Sequence, residues 1–175
     1  MEIVNTIFNT KKVLLWALQE AMANLQAYDE ARMLKISHMA GNTTWYINAY
    51  FAFAVPEEHA IVNVEEASNG TRRLFEQLAE ADLDNTAEYL PLQSTHTFTP
   101  HAEIFKTAVL SGETSVEVML SKNALKLVHK HAQFYAYAKD PEKRGVIAVV
   151  DNIVVGVMMP IAKYTPPKPK KPRKK

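Results

Sequence analysis

Cysteine is absent from the chain, which excludes disulfides, thiolate metal ligands, cysteine nucleophiles and thiol redox chemistry together. Only five glycines are spread over 175 residues. None falls into a G-x-G-x-x-G fingerprint, a phosphate loop ending in Gly-Lys-Ser/Thr or a G-x-S-x-G elbow. Apolar runs of the roughly 18 to 20 residues that a membrane helix needs are missing too. The opening MEIVNTIFNT has neither the basic region nor the small-residue cleavage site of a secretory leader. The expectation is a cytoplasmic, non-enzymatic protein without cofactor, metal or membrane partner.

What is present is enough apolar material, 47% of residues, for one ordinary core. The net charge of +1 conceals an asymmetry: the last eleven residues, TPPKPKKPRKK, hold six of the twenty basic residues and no acid. The first 164 residues therefore carry fourteen positive against nineteen negative charges. Prolines 166, 167, 169 and 172 keep this tail extended and its like charges repel, so it does not fold alone. Lys168, Lys170, Lys171, Arg173, Lys174 and Lys175 are the expected nucleic-acid contacts, able to displace counterions from phosphates.

Periodicity divides the rest into elements. MEIVNTIF alternates as a strand, and Asn9 or Thr10 caps a helix running to about Tyr28, with Val13, Leu14, Ala17, Leu18, Ala21 and Leu25 on one face. Leu15, Trp16 and Met22 widen that face, which implies cover on two sides. Two strands, 34–36 and 45–53, flank a turn at Gly41-Asn42, and a third is expected at 60–66. Ser68 or Asn69 caps a helix over 71–83 whose inner face is Leu74, Leu78 and Ala81. The stretch TPHAEIFKTAVLSG, with Thr99 as N-cap, Pro100 in the first turn and Gly112 past the end, predicts a helix. Strands follow at 115–120, 124–138 and 145–162, the last turning at Asp151-Asn152. The pattern is α+β with a mainly antiparallel sheet and two to three helices. A single domain over 1–163 is followed by the tail at 164–175.

Isolated chemical signals are weak. His129 and His131 alternate on a predicted strand but have Lys130 between them and no nearby third ligand, so they read as surface residues rather than a metal site. Adjacent carboxylates Glu57-Glu58 and Glu65-Glu66 point to opposite faces of extended chain. Trp45, Tyr46, Tyr50, Phe51 and Phe53, with Phe134, Tyr135 and Tyr137, could stack on unpaired bases. Filling the core is the simpler use for half of them.

From residue 97 onward the segment FTPHAEIFKTAVLSGETSVEVMLSKNALKLVHKHAQFYAYA, with the later NIVVGVMMPIA, resembles the C-terminal domain of the bacterial DNA polymerase processivity clamp. The final strand's V-x-M-P-hydrophobic ending is Val157-Met158-Met159-Pro160-Ile161, and the first 55 residues are similar to the first half of the same repeat. The resemblance implies a sliding-clamp-like domain, of the single-domain kind a phage could encode, acting in DNA replication. It would self-assemble as a homo-oligomer and receive peptides of replication proteins in a cleft including Val157, Met159, Pro160 and Ile161. The chain departs from that family in lacking a neighbouring domain and in carrying the cationic tail. The alternatives left open are an RNA or single-stranded nucleic-acid binding protein that uses the tail, and a protein-interaction module that touches no nucleic acid.

Overall fold

A computed structural model of the protein describes residues 7–24, 33–39, 42–107 and 114–162. In chain order the elements are α1 (Thr10–Asn24), β1 (Lys35–Met39), β2 (Thr43–Ile47), β3 (Phe51–Pro56), α2 (Asn69–Ala79), β4 (Tyr89–Phe98), β5 (Ala102–Thr107), β6 (Glu117–Ser121), α3 (Lys122–Leu125), β7 (Gln133–Tyr137), β8 (Val146–Val150) and β9 (Ile153–Met158). All nine strands join one antiparallel sheet in the order β1-β2-β3-β9-β8-β7-β4-β5-β6. The fold is thus α+β, dominated by sheet. It consists of three meanders, each preceded by a helix, with the last in sequence (β7-β8-β9) inserted between the other two.

The sheet is rolled. After β9 the Met159 N–H donates to the Tyr50 carbonyl and the Ile161 N–H donates to the Met119 carbonyl, each at 2.8 Å. Met119 lies on β6, five strands from β9, which is roughly 24 Å across a flat sheet. The three residues from Met158 to Ile161 reach at most about 11 Å, so β6 must curl back toward the end of β9. Met159-Pro160-Ile161 bridges the gap.

The register defines the inside of the roll. Tyr46, Phe53, Gly156, Ala148, Phe134, Leu92 and Thr107 lie opposite one another from β2 to β5 and share that face. Helix α1 seals it with Val13 and Ala17, and Trp16 stands edge-on to Phe53 at 5.3 Å. Position 156 is glycine for a packing reason: a Cβ there would lie 2.9 Å from the Phe53 ring. On the outer face α2 sets Phe75 against Trp45 at 5.4 Å. Burial raises the pKa of Tyr46, against the effect of its backbone hydrogen bond with Val62. Tyr89 is pushed up to about 12, first by burial and then by Tyr137 and Glu88.

Several expectations hold. Ser68 caps α2, its hydroxyl accepting the Thr71 N–H at 3.3 Å, and Asp151-Asn152 makes the β8–β9 turn with φ of 49° and 63°, as a two-residue hairpin requires. Others are corrected. The segment at 99–107 is no helix: Thr99 caps a hairpin turn, its hydroxyl accepting the Ala102 N–H at 3.0 Å, and the chain continues as β5 between β4 and β6. Residues 108–113, with Gly112, lie outside the described residues. The strand at 45–53 is two strands, because Asn48 Oδ1 accepts the N–H groups of Tyr50 and Phe51 at 2.9 and 2.8 Å and closes a turn. Segment 60–66 makes one parallel bridge, Glu66 to Ile36. The inner residues of α2 are Phe75 and Leu78, while Leu74 is exposed. On α1, Leu15, Leu18 and Met22 are exposed as well. Residues 25–28 of the expected first helix and 1–6 of the expected first strand lie outside the described residues, although Ile7 and Phe8 join the core.

Candidate nucleic-acid interface

The expected strand over 124–138 is a helix, a turn and only then a strand, and this change creates the site. Ser121 caps α3 by accepting the Ala124 N–H at 3.4 Å. The short helix buries Ala124, and Val128 follows it into the core. With those two apolar anchors inward, Lys126 and Lys130 are turned to the surface. The start of α1 arrives beside them: Asn9 Nδ2 donates to the Lys126 carbonyl at 3.2 Å. Lys12 thereby faces the α3 segment across a cavity of about 570 Å³ lined by Phe8, Asn9, Lys12, Leu125, Lys126, Val128, His129 and Lys130.

No carboxylate lines that cavity. The reason is visible in the chain, since residues 118 to 139 and 3 to 19 contain no Asp or Glu, and the fold brings these two acid-free stretches together. Among the described residues Lys12, Lys126 and Lys130 form no ion pair. The N-terminus of α1, a fifteen-residue helix, adds the partial positive charge of the helix dipole. Cations gathered in this way repel one another and concentrate an anion between them.

His129 and His131 sit on the turn between α3 and β7 rather than on a strand. Their rings are 5.2 Å apart, and the His131 N–H donates to His129 Nδ1 at 3.2 Å. Among the described residues no group of three or more His, Asp or Glu is arranged to hold a metal ion. Of the adjacent carboxylates, Glu65 is paired with Lys35, and Glu57 lies 3.8 Å from His38. Trp45, Tyr46 and Phe53 are core residues.

The expected cleft residues separate. Val157 and Met159 line an outer-face groove of about 450 Å³ with Leu74, Phe75, Leu78 and Tyr50, and Lys143 and Arg144 stand at its rim. Met159 is 37% exposed there. Pro160 and Ile161 are not part of this groove, since Ile161 crosses to the edge of β6. The tail cations Lys168, Lys170, Lys171, Arg173, Lys174 and Lys175 lie outside the described residues. Sequence reasoning missed Lys12, Lys126 and Lys130, although the recurrence of lysine at 122, 126 and 130 without an acid was there to see.

No helix among the described residues is long and apolar enough to cross a membrane. Comparison of the chain with protein-family models, with curated proteins and with solved structures finds no match.

Proposed function

We propose that the protein is a non-enzymatic nucleic-acid-binding protein whose folded body, and not only its tail, holds the phosphate backbone. The observation that carries this reading is the carboxylate-free cavity ringed by Lys12, Lys126, Lys130 and His129 at the N-terminus of α1. Lysines without ion-pair partners among the described residues, set around a concave surface, are suited to phosphate, because each contact releases condensed counterions. The tail supplies a second electrostatic attachment that follows the body in sequence.

A second reading, a clamp-like replication protein that assembles with itself and captures partner peptides, is favoured by the groove containing Val157 and Met159. It has lost one support, since residues 102–107 of the segment that resembles the clamp form a hairpin strand and not the predicted helix. Sedimentation of the full chain at low and moderate salt, with and without an oligonucleotide, separates the two. The first reading expects a monomer or dimer that takes up the oligonucleotide and gives it up as salt rises. A ring sedimenting at several times 19.7 kDa irrespective of nucleic acid would favour the second and count against the first.

A further inference from the structure

A second cavity, also of about 570 Å³, opens beside the cationic one and shares Leu125, Val128, His129 and Lys130 with it. It exists because β4 outruns β7. Strand β7 pairs only with Tyr89 to Leu92, whereas β4 continues to Phe98 against β5 alone. Before β7 the chain turns away through His129 to Ala132, and a cleft is left between the turn and the projecting half of β4.

Its lining is unlike that of its neighbour. By register Phe134 and Glu103 both belong to the inner face, Phe134 contributing ring surface and Glu103 a carboxylate that accepts a hydrogen bond from the Ser94 hydroxyl, while Gln93, Gln133 and Tyr135 border the cleft from the outer face. The two adjacent cavities therefore run from an end whose only charged side chains are cationic to an end with aromatic and carboxylate groups. A nucleotide has the matching polarity: an anionic phosphate, then a flat base whose edge carries N–H donors. The geometry points to an unpaired nucleotide as the occupant, with its phosphate among Lys12, Lys126 and Lys130 and its base in the cleft beside Glu103. This inference rests on the reading of the lysine cavity as a nucleic-acid interface and narrows it to single strands, because a base stacked and paired in a duplex cannot enter a cleft.

Glu103 gives the site a preference. A carboxylate accepts from the N4 amino group of cytosine, whereas thymine presents the O4 acceptor in the same place and is repelled. Fluorescence anisotropy of the full chain with oligo-dC and oligo-dT of equal length, and with a mixed-sequence duplex, tests this. Oligo-dC is expected to bind at least about fivefold more tightly than oligo-dT, and the duplex more weakly than either. Glu103→Gln, which keeps the shape and a hydrogen-bonding group toward Ser94, is expected to remove the preference and leave the salt dependence intact. Equal binding of the two oligonucleotides, a preference that survives Glu103→Gln, or a duplex bound as tightly as a single strand would overturn the inference while leaving the interface standing. Failure to bind any of the three would remove both.

Discussion

Replacing Lys12, Lys126 and Lys130 together by Glu is expected to weaken binding of a single-stranded oligonucleotide by on the order of a hundredfold near 0.1 M salt. The magnitude follows from counterion release: each phosphate contact on a single strand contributes about 0.7 to the slope of log K against log salt, so three contacts account for about two. The slope should fall by that amount in the variant, and a titration at several salt concentrations reads both quantities. All three side chains are exposed and unpaired among the described residues, so the fold should be unaffected. Lys106→Glu is the control. Lys106 is exposed on β5 and does not line the lysine cavity, so losing its charge should change binding little. An equal loss from Lys106→Glu would mean that the body attracts nucleic acid only through its overall charge.

Phe53→Ala is expected to cost about 3 to 5 kcal/mol in stability, read by denaturant unfolding. Phe53 is fully buried on the inner face of the roll, stacks on Phe51 at 6.2 Å, receives Trp16 edge-on and covers Gly156. Its removal empties the place where α1, β3 and β9 meet, and neither a helix anchored by Trp16 nor a glycine can move in to fill it. A loss below about 1 kcal/mol, typical of a surface change, would contradict the packing of α1 inside the roll.

Much of this arrangement was legible in the residues. The cap at Ser68, the Asp151-Asn152 turn, the strands on either side of it and the predominance of antiparallel sheet follow from local chemistry alone. The failures have a common physical cause, which is that local signals are neutral about partners. Thr99-Pro100 is as good a start for a hairpin turn as for a helix, and the tertiary environment decided: Ala102 to Thr107 had β4 and β6 to pair with. Pro91 and a run of polar residues obscure the alternation of strand β4 in the sequence. The segment 124–138 mixes the two periods, since Ala124 and Val128 are four apart on a helical turn whereas the residues from Gln133 onward alternate.

The site was the least legible part. Neither half of it has an excess of cations large enough to notice, and the charge balance of the first 164 residues is negative. Only the meeting of α1 with α3, fixed by the hydrogen bond from Asn9 to Lys126, gathers lysines that are more than a hundred residues apart. The resemblance names Val157, Met159, Pro160 and Ile161 together, and the roll of the sheet divides the first two from the last two. Chain order alone does not reveal a curl that is set by the twist of nine strands.

Lysine acylation of the full chain with and without a bound single-stranded oligonucleotide, read residue by residue by mass spectrometry, tests the central claim most directly. The account predicts that Lys12, Lys126 and Lys130 are protected by the oligonucleotide, while Lys35, Lys106 and Lys143 react as before. Protection confined to the tail lysines 168 to 175, with Lys12, Lys126 and Lys130 unchanged, would contradict it and leave the body without a role in holding nucleic acid.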